Sequence, residues 1–478
     1  MLFIQSNSLD FPVGARARLR LLDALAERGH APLILSSRRR LFRTLAAGAG
    51  DSAAVEAAAR ELERALGSRH GADGEADATP GELFCAGDCV LALLFRDDAE
   101  GGLSASVVYS VETAAPLARL EQFCRDVREA LAELKEEAAG AAAEPTELPS
   151  WRAREGGSSQ GLARFIAVQP AEFVRAAATL RGGRELGRAS ALLEEQPVRA
   201  FLRRAQEMRS EGFTPRSLLR EAAAVSVERM LEAGLLEREV RVSCRKSGHA
   251  LFDLPSPDSL AAVTLSRAKC SLCAAPVADE VIEETVNPTR LAVALLEDGR
   301  WLSSRVYGIV RSLGIPASEI ATGPANAHGE SYLAADVCGN SFLFVARDGD
   351  LTPAFSRRIA ETVEETDATH LVVVTTGASA DEGRLRLYEF AWRRARAGRD
   401  LDTTLVEGLA GAREQIQRAF ERVVGRELSR RLFPLDAALG FSAGGFVLQW
   451  FRFARASGAN RRAGDSATPT LLDRQIAS

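Results

Sequence analysis

Apolar positions along the chain switch between two periods, and the switches mark its elements. Leu302 to Leu313 (LSSRVYGIVRSL) repeats apolar residues at helical spacing and stops at Gly314. Tyr332 to Val337 and Ser341 to Arg347 are short, partly alternating apolar runs separated by Cys338-Gly339-Asn340, the pattern of two antiparallel strands around a tight turn. Ser356 to Asp367 is a second amphipathic helix, and Leu371 to Thr375 (LVVVT) reads as a buried strand ending at Gly377. The order is helix, hairpin, helix, buried strand.

Elsewhere the pattern is sparser. Leu2 to Ile4 and Pro32 to Leu35 read as strands flanking an amphipathic helix from Ala17 to Arg28. Cys89 to Phe95 and Leu103 to Val111 read as a hairpin, followed by a long helix from Leu117 to Ala138. Ala139 to Gly161 has linker composition. Asp402 to Leu432 reads as one or two helices, and Phe441 to Phe453 (FSAGGFVLQWFRF) is an aromatic, apolar segment for docking on the chain's own core or on a partner. Ser457 to Ser478 is small, polar and charged, a disordered composition.

These signals give a multidomain α/β chain: an N-terminal α/β module (1–138), a linker (139–161), a helical region (162–243), a small β module (244–285), an α/β domain (286–400), a C-terminal helical region (401–456) and a disordered tail (457–478). The 478 residues and 46% hydrophobic content suffice for several ordinary cores. A formal charge of −5 argues against a general nucleic-acid coat, but residues 151–250 carry about +6 between acidic flanks. Seven cysteines, an odd number, point to a reducing, cytoplasmic setting. No signal peptide and no membrane-length apolar run is visible.

Cysteine spacing supplies the first chemistry. Cys244-Arg-Lys-Ser-Gly-His249 is followed by Cys270-Ser-Leu-Cys273, so two knuckles flank an insert, as in zinc ribbons. Ser247 stands where the first knuckle's second ligand would be. The expected zinc ligands are Cys244, Cys270 and Cys273, with His249 as a replacement fourth. Such a zinc would be structural; the alternative is a former ribbon that has lost its metal. Upstream, Thr214 to Val242 resembles the last helix and wing of a winged helix, a unit that contacts DNA or packs against protein.

The hairpin and its flanking helices resemble the restriction-endonuclease-like, or PD-(D/E)xK, superfamily between Pro288 and roughly Phe390. That family carries E-x-D at the start of the first strand and E-x-K at the end of the second. Laid on this chain without a gap, the acidic pair falls on Glu330 and Tyr332, and E-x-K falls on Val345-Ala346-Arg347. Valine cannot ligate Mg²⁺, and neutral tyrosine ligates it poorly. Arg347 weighs less, because only three of sixty basic residues are lysines. The resemblance implies a pseudo-nuclease that binds DNA or RNA or scaffolds a complex, in genome maintenance or phage defence. One alternative is an active Mg²⁺-dependent nuclease with a migrated site on Glu330, Asp336 and Asp348. The other is a protein-only scaffold whose partner is held by the N-terminal module or by Phe441 to Phe453.

Overall fold

The structure, a computed structural model, describes residues 1–37, 40, 79–96, 101–139, 148–153, 160–169, 184–210, 225–247, 250–254, 259, 269–276, 281–297, 299–324, 326 and 328–465. Among these residues the protein is α/β with three sheets. It divides into two compact units, residues 1–157 with 417–478, and residues 158–416.

The first unit holds β1 (Leu2–Leu9), α1 (Ala15–Glu27), β2 (Gly81–Ala86), β3 (Cys89–Arg96), β4 (Gly102–Ser110), α2 (Pro116–Ala139) and β5 (Arg152–Ala153). Its sheet runs β2-β3-β4-β1-β5, and every pairing is antiparallel. Leu91, Leu93 and Phe95 alternate toward one face, where Leu21, Leu22 and Leu25 of α1 and Phe123 and Val127 of α2 complete the core.

Two expectations fail here. Pro32 makes one isolated bridge to Phe84, and the chain from Leu33 is helical rather than a strand. The buried Glu82 carboxylate accepts from the backbone N–H groups of Ile34 (2.6 Å) and Leu35 (2.9 Å), satisfying donors that a helix start leaves unpaired. The segment 139–161 is not linker throughout. Arg152 and Ala153 pair with β1, and the Trp151 indole donates to the Cys124 carbonyl at 2.8 Å.

The second unit begins with α3 (Gln160–Ala167), α4 (Arg184–Leu192), α5 (Gln196–Ser210) and α6 (Val227–Glu232), followed by β6 (Leu236–Ser243), β7 (Ala250–Leu254) and β8 (Val281–Pro288). Of the winged-helix-like stretch, residues 214–224 lie outside the described residues. The strand after α6 is not a separate wing: β6 is the central strand of a sheet ordered β7-β6-β8. Next come α7 (Arg290–Glu297), α8 (Arg300–Ser312), β9 (Ile320–Thr322), β10 (Glu330–Val337), β11 (Asn340–Arg347), α9 (Pro353–Thr366), β12 (His370–Thr375), α10 (Asp381–Arg396) and β13 (Asp402–Glu407).

These strands form one sheet in the order β13-β12-β11-β10-β9, in which β11, β12 and β13 are parallel. The β10–β11 turn has two residues, Cys338 and Gly339, both at positive φ (54° and 82°), the geometry of a type I′ hairpin. Asp402 to Glu407, read from sequence as helical, is instead the fifth strand. Its β-branched Thr403, Thr404 and Val406 suit an edge that pairs fully with β12.

Helix α11 (Ala412–Leu432) leads back into the first unit, followed by α12 (Asp436–Leu439) and α13 (Ala443–Asp465). The α13 helix continues past residue 457, the expected start of the tail. Within Phe441–Phe453 the docking is one-sided: Ala443, Val447 and Phe451 are buried, whereas Phe441 and Phe453 are exposed. A Cβ on Gly444 would stand 2.7 Å from the Ser429 backbone nitrogen, so these helices meet backbone to backbone. Gly444→Leu is therefore expected to cost about 1–3 kcal/mol by overpacking, read from urea unfolding. No single helix among the described residues is long and apolar enough to cross a membrane; only α11–α12 with the start of α13 pass together, and they are bent by 101°.

Candidate functional site

Strand pairing sets Glu330 opposite Arg347 and Tyr332 opposite Val345, so the four positions read from sequence do share one end of the hairpin. Their chemistry is closed. Glu330 is fully buried and pairs with Arg358 of α9, whose Nε lies 3.0 Å from both carboxylate oxygens. Asn326 Nδ2 donates to Glu330 Oε2 at 2.7 Å and the Tyr332 hydroxyl donates to the same oxygen at 3.1 Å. Arg347 Nη1 stands 3.8 Å from Oε1, with its guanidinium over the Phe355 ring.

Burial alone would raise the Glu330 carboxyl, but the bonds from Arg358 and Asn326 outweigh it and hold the group below its ordinary range. Burial, then the Glu330 charge, pushes the Tyr332 phenol up to about 12, so it stays a neutral donor. Val345 is fully buried in the core that β11 makes with Phe355, Ile359 and Val363 of α9. Glu330, Tyr332 and Arg358 here form a packed network of an ion pair and hydrogen bonds, with Val345 in the apolar core behind it.

The residues of the migrated-site alternative are not brought together. Asp336 lies six residues along β10 from Glu330, roughly 20 Å at strand rise, and its Oδ1 accepts from the Gly339 N–H of the turn at 2.7 Å. Its acidic neighbour is Glu319, whose carboxyl is raised by burial and then by Asp336. Asp348 accepts from the Thr376 hydroxyl at 2.6 Å, pairs with Arg203 and lies 3.6 Å from Arg199 Nε.

Asp348 instead belongs to a cleft of about 450 Å³ beside the ends of β11, β12 and β13. Arg199, Arg203, Trp301, Asp348, Thr376 and Gly408 line it. Arg199 is nearly buried, donates to the carbonyls of Leu193 (2.7 Å) and Glu194 (2.9 Å), and sits over the Trp301 ring at 4.8 Å. Sequence reading missed this cleft, as it missed Arg358 and Asn326. A signal was present: all three parallel strands run into glycine-bearing turns, at Gly349, Gly377 and Gly408.

Among the described residues, the one group of three or more potential metal ligands within reach of one another is Cys244, Cys270 and Cys273, whose sulfurs lie within 4.8 Å. Cys244 Sγ is 3.4 Å from Cys273 Sγ, and Ser247 Oγ is 3.6 Å from Cys270 Sγ. Backbone bonds from the Cys270 N–H to the Ala275 carbonyl and from the Ala274 N–H to the Cys270 carbonyl (both 2.9 Å) close the second knuckle. Bonds from Ser247, through its hydroxyl and then its backbone N–H, bring the Cys244 thiol down to about 7. This trio could hold a metal ion, with Ser247 beside it; His249 lies outside the described residues. Comparison with protein-family models, with curated proteins and with solved structures finds no match for this chain.

Proposed function

We propose that the chain is a nuclease-fold protein without the metal site, retained to hold DNA or RNA rather than to cut it. The observation that carries this reading is the closed Glu330–Arg358–Tyr332 network, with Val345 in the core behind it. The order helix α8, hairpin β10–β11, helix α9 and buried strand β12 supports the same reading. Releasing Glu330 to a metal would strand Arg358, so the site resists Mg²⁺ as well as lacking its ligands. In this reading the cysteine trio takes one structural Zn²⁺, with Ser247 or His249 completing the tetrahedron.

Fluorescence anisotropy of labelled single-stranded DNA, duplex DNA and RNA, across a salt series with magnesium present, tests it. The expected result is micromolar or tighter binding that weakens steeply with salt, with the probe recovered intact. A probe that comes out cut, with cleavage lost on removing the metal, would overturn the reading.

A second reading, a protein scaffold, is favoured by one helix face. Leu385, Tyr388 and Trp392 of α10 are 59%, 51% and 60% exposed at one-turn spacing, a stripe suited to a partner helix. Absence of binding to every nucleic-acid probe would favour this face instead.

A further inference from the structure

We infer that the cleft at the carboxyl ends of β11, β12 and β13 is a binding site for a phosphate monoester. Its place is the crevice where open parallel sheets receive ligands, and its volume of about 450 Å³ falls in the range of small-molecule sites and exceeds the needs of bare phosphate. The chemistry comes from the lining. Trp301 is fully buried, lines the cleft, and its indole N–H has no hydrogen-bond partner among the described residues. A buried donor of that kind calls for an acceptor.

Arg203 supplies the charge. Its side chain is about half exposed at the cleft, so part of its fork remains open beyond the bond to Asp348. Asp348 does not repel an incoming anion strongly, because Arg203, Arg199 and the Thr376 hydroxyl already surround it. Glu194, the other acid at the rim, pairs with Arg305. An oxyanion held by the Arg203 guanidinium, with the buried Trp301 indole in the wall behind it and room beside it for a sugar and base, is met by a nucleotide monophosphate or by the phosphorylated end of a strand. The first source stands apart from the nucleic-acid reading above, and the second deepens it.

The test follows the Trp301 indole N–H resonance in ¹⁵N-labelled full-length protein, assigned by its loss in Trp301→Phe. The probes are inorganic phosphate, AMP, and short oligothymidylates bearing either a 5′-phosphate or a 5′-hydroxyl. AMP is expected to shift this resonance saturably if the site takes free nucleotide; a shift by the 5′-phosphorylated strand alone assigns it to strand ends. Ala200→Trp, at an exposed position lining the cleft, and Arg203→Gln should each weaken binding at least tenfold while circular dichroism stays unchanged. A resonance unmoved by every phosphate-bearing probe overturns the proposal, as does binding that Ala200→Trp leaves intact, or an equal response to succinate. AMP binding in a protein that ignores long DNA and RNA would remove the nucleic-acid reading and leave this one standing.

Discussion

Arg358→Met is expected to destabilise the β10–β11 hairpin and its flanking helix by roughly 3 kcal/mol, among the largest effects of any single polar substitution in the second unit. The reason is asymmetry: the variant leaves Glu330 charged, fully buried and without its principal partner. Breaking such a pair costs more than its presence contributes, so Glu330→Leu combined with Arg358→Met should recover most of the loss. Hydrogen exchange of the β10 and β11 amides measures both. Unchanged protection in Arg358→Met would mean that the network is ornamental. The same network fixes an acid response. Because the folded-state carboxyl of Glu330 is held below its ordinary value of 4.5, its stabilisation is fully present above that pH. It is lost as pH falls through the lowered folded value. Glu330→Gln should flatten that part of the acid-unfolding profile.

With the cysteine trio holding zinc as proposed, its removal is expected to have the largest effect on the small β module. Among the described residues the cluster around the knuckles is Cys244, Cys270 and Ala275, with Leu251 partly covered, little apolar surface to hold the two knuckles together. A structural zinc supplies on the order of 10–16 kcal/mol to such modules, and that energy is folding energy. Protein purified without chelators should carry one equivalent of zinc by atomic absorption, and Cys270→Ser should carry almost none. Chelation should then raise hydrogen exchange in residues 236–254 and 281–288 while leaving β9 to β13 protected. Metal-free protein with a fully protected β6 would show instead that the ribbon stands by packing on its neighbours.

Both sites show where a sequence stops being readable. The hairpin was legible because strand alternation and a Cys-Gly turn are local signals, and the pairing of Glu330 with Arg347 follows from that turn. The cysteine trio was legible because the knuckle spacing Cys270-Ser-Leu-Cys273 is a local signal, and the structure brings Cys244 beside it. The partners that decide what Glu330 does were not, since Arg358 arrives from a helix 28 residues later, where the adjacent Arg357 and Arg358 read as part of an ordinary solvated face. The lining of the cleft was hidden for the same reason, although its glycine-bearing turns were in view: Arg199, Trp301, Asp348 and Thr376 come from four separate segments. Strand β13 was misread because Thr403 and Thr404 are polar and only half covered, so the alternation that marks a buried strand is absent. The helix after Pro32 owes its start to Glu82, almost fifty residues away, and no window around it contains that cap.

The return of α11 into the first unit has a consequence for how the protein is made. Arg431 donates to the Ser6 hydroxyl at 3.0 Å across 425 residues of sequence, and the fully buried Leu435 lies against Gly81. Residues 158–416 form a continuous stretch and can complete their own fold as they leave the ribosome. The sheet that holds β1 must wait, because the helices that cluster with it come after residue 416. Synthesis therefore supplies all of residues 158–416 before the other unit is complete, and a stall before residue 417 would release a chain in which residues 158–416 are folded and residues 1–157 lack their partner helices.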